Sequence, residues 1–174
     1  MAERNEYSPP NRAERVISAG RLLLAVLLAV AVVVDVTEPE AYAPIVRMLA
    51  FSYLAFALAI AVLTWTRQVT TRGVPIATQV TDLVLFSAFM YLTDGARSPF
   101  FPYFVFSTIA GTIRWDGRGA LLTGAAALIA YVAATLMGAT SQATGDFNTA
   151  EFIAPCTQLA LVTGLLAHLG SHHR

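Results

Sequence analysis

Residues 16–36 read VISAGRLLLAVLLAVAVVVDV, and from Leu22 to Val34 no side chain is charged or carries an amide. A helix over these residues is about 30 Å long, the thickness of a bilayer's hydrocarbon layer. The run lacks the alternation of a barrel strand, so a helix is the only way its backbone N–H and C=O groups can be satisfied in lipid. Upstream, residues 1–15 carry Asn5, Pro9, Pro10, Asn11 and six charged groups. That leader is too polar to bury and is expected to be flexible. Downstream, Asp35-Val-Thr-Glu-Pro-Glu40 stops the run and has no small-x-small cleavage pattern. The segment is therefore read as a retained span rather than a signal peptide.

The same pattern recurs along the chain at about 44–66, 74–93, 99–115, 119–138 and 152–169, leaving a short tail at 171–174. With 56% hydrophobic and 13% charged residues among 174, the composition fits lipid as the main solvent. The expected fold is all-α: a polytopic membrane protein built as a bundle of six transmembrane helices. The fourth span is the shortest and starts in a tight turn, so tilt or partial entry is open for it. Pro155 is expected in the first turn of the last helix, where its missing N–H is harmless.

Every basic residue apart from histidine is an arginine. Arg4, Arg12, Arg15, Arg21, Arg67, Arg72, Arg114, Arg118 and Arg174 fall on one side of a six-span chain, and only Arg47 and Arg97 on the other. The positive-inside rule then puts both termini in the cytoplasm, with a bacterial inner membrane as the expected location. Trp65 and Trp115 are expected at the inner interface, and Tyr42, Tyr91 and Tyr103 near the outer one.

Asp82 is the acidic residue placed well inside a span, and exposing a carboxylate to lipid is costly. Arg21 lies inside the first helix at the same end, with a side chain long enough to reach inward. An Arg21–Asp82 ion pair between the first and third helices is predicted, flanked by Gln79 and Thr81, either as a packing contact or as a proton sensor. The second candidate is the outer turn formed by Thr93, Asp94, Gly95, Arg97, Ser98, Pro99 and Phe100. Gly95 permits a positive φ and Pro99 opens the next helix, while the following aromatic run gathers at the outer interface. Arg97 and Asp94 are its candidate ligand-reading groups. Ala25 with Ala29, and Gly119 with Gly124, permit close helix approach.

Other chemistry is not expected. The chain has no lysine and so no phosphate-binding Gly-rich loop with its lysine; it shows no zinc spacing, no Ser-His-Asp set and no basic aromatic patch for nucleic acid. Cys156 has no partner cysteine, and His168, His172 and His173 read as a solvated end. No enzyme activity, metal or cofactor is expected.

Several landmarks in order carry a resemblance: Arg21-Leu-Leu-Leu-Ala, the Asp35-Val-Thr-Glu-Pro-Glu stop, Asp82-Leu-Val-Leu-Phe, Tyr91-Leu-Thr-Asp-Gly-Ala-Arg-Ser-Pro-Phe-Phe, Ile113-Arg-Trp and Arg118-Gly-Ala. The chain resembles the amino-terminal membrane sensor region of bacterial two-component sensor histidine kinases over about residues 16–169. In that family a second Gly commonly precedes the turn's Gly, where this chain has Asp94. Family members continue into a kinase core, whereas this chain stops at Arg174. The resemblance thus implies a signal-input module without catalytic output of its own, either a truncated kinase or a stand-alone relative. The alternatives are a small-molecule transport subunit, such as the substrate-binding membrane component of a vitamin importer, and an envelope scaffold. Membrane lipids are expected partners; a second copy of the chain and a cytoplasmic kinase or other output protein in trans are candidates.

Overall fold

A computed structural model describes residues 11–34, 43–66, 73–93, 100–141 and 149–172. All of these lie in or directly beside helices: α1 (Asn11–Val33), α2 (Ala43–Thr66), α3 (Gly73–Leu92), α4 (Phe101–Ser141) and α5 (Thr149–His172). Each is long and apolar enough to cross a membrane.

Exposure is distributed as lipid demands. Met48, Leu122 and Ile129 are 70–75% exposed, whereas Arg21 and Asp82 are fully buried. In water this arrangement would be upside down; in hydrocarbon it puts the polar groups where they find partners. The contact faces are lined with small residues: Ala25, Ala50, Ala57, Ala120 and Ala127 are buried completely, which lets backbones approach closely where no hydrophobic effect drives association. α1 packs chiefly on α2, α3 on α4 and α4 on α5, and α1 also reaches α4.

Five helices make six spans because α4 is broken. Trp115 (φ −133, ψ 20) and Asp116 (φ 58, ψ −150) leave helical geometry, and the chain reverses there. In a straight helix Gly111 and Thr123 would be about 18 Å apart, yet a β-carbon built on Gly111 would collide with the Thr123 side chain. A β-carbon on Gly119 would likewise meet the Gly111 carbonyl oxygen. The first arm (101–114) and second arm (117–141) are thus an antiparallel pair with almost no side-chain layer between them at the corner. The first arm is about 21 Å long, shorter than the hydrocarbon layer, as the short fourth span suggests.

Asp116 occupies a backbone region in which L residues rarely sit, at a cost of about 1–3 kcal/mol. Replacing it with glycine, which has no β-carbon to clash, is expected to raise unfolding stability by about 1 kcal/mol, as read from thermal melts in lipid bicelles.

Two boundaries differ from the sequence reading. α1 begins at Asn11, not Val16, because Glu14 suits the positive end of the helix dipole and is tied to another helix. α5 begins at Thr149, so Pro155 lies beyond its first turn. There it forfeits the bond that an N–H would make to the Glu151 carbonyl, a loss transmembrane helices tolerate. Phe100, Tyr103 and Phe104, from the aromatic run expected to cluster at the outer interface, are buried within the bundle. They form an internal aromatic layer with Phe86 and Phe89, with Phe86–Tyr103 ring centroids 4.9 Å apart and Phe89–Phe100 5.5 Å apart. Trp65 and Tyr91 remain exposed.

Candidate functional site

Polar residues line one face of each helix that meets at the centre. Glu14 and Arg21 are seven residues apart on α1, Ser107 and Arg114 seven apart on α4, and Thr78, Gln79 and Asp82 share one side of α3. Two helical turns bring position i+7 back beneath i, so each set stacks along the bundle. The result is a polar seam in the half of the bundle where α1 and α3 begin and the first arm of α4 ends.

Its deeper layer is the Arg21–Asp82 pair. Arg21 Nε donates to both Asp82 oxygens at 3.0 Å, and Nη2 donates to Oδ2 at 2.7 Å. Tyr53 of α2 adds a hydroxyl donated to Oδ1 at 3.2 Å. One carboxylate therefore ties together α1, α2 and α3. Arg21 Nη1 has no hydrogen-bond partner among the described residues. The Tyr53 ring meets Phe86 edge-on, 5.5 Å between centroids, so the same side chain touches both the ion pair and the aromatic layer. Tyr103, from that layer, donates its hydroxyl to the Leu24 carbonyl of α1 at 2.9 Å.

Replacing Tyr53 with phenylalanine keeps the ring and deletes only the hydroxyl. It is expected to lower stability by about 1 kcal/mol, near the low end for a bond to a charged acceptor because this one is long. Unfolding titrations in mixed micelles measure the difference.

The outer layer is centred on Arg114, whose side chain is 3% exposed. Nε and Nη2 donate to Glu14 Oε1 and Oε2 at 2.8 and 2.9 Å, a bidentate fork. Nη1 donates to the Pro75 carbonyl and to Gln79 Oε1, both at 3.0 Å, and Nη2 also to Thr78 Oγ1 at 3.1 Å. These acceptors use all five N–H groups of the guanidinium. Gln79 passes the network on, its Nε2 donating to the Ser107 carbonyl at 2.8 Å and to Ser107 Oγ at 2.6 Å. The Arg114 guanidinium also lies 5.9 Å from the centre of the Trp115 ring, within cation–π range. Four charges thus balance within the seam, two positive and two negative.

The structure brings Arg21 and Asp82 together. It places Gln79 in the Arg114 layer, hydrogen-bonded to Arg114 and Ser107 and not to the Arg21–Asp82 pair. Thr81 is half-buried. Of the outer turn, Thr93 donates its hydroxyl to the Phe89 carbonyl at 2.7 Å and Phe100 packs in the aromatic layer. Asp94, Gly95, Arg97, Ser98 and Pro99 lie outside the described residues. Tyr53, Glu14, Thr78, Ser107 and Arg114 are the members of the seam that the sequence reading does not single out. The i, i+7 spacing of polar groups on otherwise apolar helices is the signal that would have found Glu14 and Ser107.

No curated protein and no solved structure showed significant similarity to this chain. A family model does match, described as a PilS-like transmembrane domain, and it spans residues 4–169. That range takes in every helix pair and every member of the seam. The chain therefore belongs to the PilS-like family of six-helix transmembrane domains, PilS being a sensor histidine kinase.

Proposed function

We propose that this chain is the membrane-embedded input module of a two-component sensor, with both termini in the bacterial cytoplasm and no catalysis of its own. The observation that carries the reading is the fully buried Arg21–Asp82–Tyr53 contact within a domain of a sensor-kinase family. Ionisable groups inside a membrane domain are costly to keep, and a network joining three helices can hold two discrete arrangements whose balance a stimulus shifts. Arginine placement supports the cytoplasmic assignment of the Glu14–Arg114 end. A shift in this network is passed through helix displacement to a cytoplasmic kinase.

The test is to isolate the tagged chain from its own host's membranes and identify what accompanies it. A histidine kinase core or response regulator is the expected companion. An ATPase subunit, or a small molecule retained in stoichiometric amount, would replace this reading with that of a transport subunit.

A further inference from the structure

The corner between the two arms of α4 is held from both sides. On one side Arg114, the last residue of the first arm, is bound to Glu14 of α1 and to Pro75, Thr78 and Gln79 of α3. On the other, Gly117, the first residue of the second arm, lies directly against the last turns of α5. A β-carbon on Gly117 would stand 2.6 Å from the Ala167 carbonyl oxygen and 3.3 Å from the Ser171 nitrogen. One on Gly170 would stand 2.6 Å from the Gly117 nitrogen and 3.0 Å from the Asp116 carbonyl carbon.

Between clamp and contact sits Asp116, with φ 58 and ψ −150. A strained residue persists only where its surroundings over-determine it, and such residues gather at switch regions. Here the surroundings include the Arg114 clamp and the end of α5. Because backbone meets backbone at Gly117 and Gly170, no flexible side chain stands there to absorb a shift. Movement of the first arm must displace the end of α5 or unbend the corner.

We propose that residues 114–117 couple the polar clamp on α1 and α3 to the C-terminal end of α5, so that releasing Glu14 from Arg114 relaxes the corner and loosens that end. The inference deepens the sensing reading by naming where a change leaves the seam. Sensing would survive its failure, with another exit, and the linkage would hold in a transport subunit too.

Arg118 and Ser171 face one groove, together with Gly117, Leu121, Ala167 and Gly170. Cysteines placed at both positions, in a chain carrying Cys156→Ala and reconstituted in lipid vesicles, report the corner through their rate of disulfide formation. Glu14→Gln keeps the side chain's size, removes its charge and lies across the corner from the groove. It is expected to slow cross-linking about fivefold or more, the lower end of ordinary coupling between sites. An unchanged rate overturns the proposal. Asp116→Gly, which fits the corner's backbone without strain, is expected to hold the corner in place when the clamp is released and so to diminish the effect of Glu14→Gln. If the Glu14→Gln effect persists undiminished beside Asp116→Gly, the coupling does not run through this corner.

Discussion

Arg21→Met is expected to be the most damaging single substitution in the bundle, lowering stability by about 3–5 kcal/mol. The guanidinium is fully buried and makes three of the four hydrogen bonds that Asp82 receives from side chains among the described residues. Methionine fills much of the same volume, so the loss is electrostatic rather than a cavity. What remains is a carboxylate sealed from water with one long bond from Tyr53. Removing both charges, as Arg21→Met with Asp82→Leu, is expected to recover most of the loss, because a buried pair exchanged for apolar side chains of similar volume is often neutral. Denaturant titrations in mixed micelles, followed by the fluorescence of Trp65 and Trp115, give the four stabilities of the cycle. A double variant as unstable as the sum of the two singles would mean that the side chains do not act on each other.

Arg114→Met comes next, at about 2–3 kcal/mol. It strips the common donor from Glu14, Pro75, Thr78 and Gln79 and so unlinks α1 from α3 and α4 at that end. The effect is smaller than at Arg21 because Glu14 is 23% exposed, and water can reach the abandoned carboxylate. Arg114→Lys is expected to recover less than half. A compact ammonium has three donors and cannot span a bidentate carboxylate while also reaching α3. Full recovery by lysine would show that charge alone matters and that the fork is incidental.

Both substitutions strike residues that the sequence shows in very different lights. Asp82 is legible because a carboxylate amid Leu83, Val84 and Leu85 has no cheap place in lipid. Arg21 follows because it is the cation at matching depth on another span. Arg114 is hidden by the rule that orients the chain: an arginine at the end of a span reads as a cytoplasmic marker, and only packing reveals that its side chain turns inward. Glu14 is hidden for a related reason. Its neighbours make a polar leader, and nothing local says that the helix starts early enough to carry it into the seam. Tyr53 gives no local sign, since an aromatic residue in an apolar helix is equally at home against lipid.

The number of spans is legible from the spacing of apolar runs, and the reversal falls where Trp115, Asp116 and Gly117 interrupt them. The Asp116 conformation is not, because a non-glycine residue at positive φ runs against local preference and is held by tertiary contacts. Likewise, the aromatic run after Pro99 is recognisable as a cluster, but its burial depends on Phe86 and Phe89 arriving from α3.

The reversal at residues 115–116 puts the clamp, the corner and the end of α5 at one end of the bundle and therefore on one side of the membrane. Single cysteines in place of Arg12, Arg118 and Ser171, each in a Cys156→Ala chain, can be probed with a membrane-impermeant maleimide in vesicles of defined orientation. All three should be modified from the same side. Modification at position 118 from the side opposite to position 12 would contradict the account.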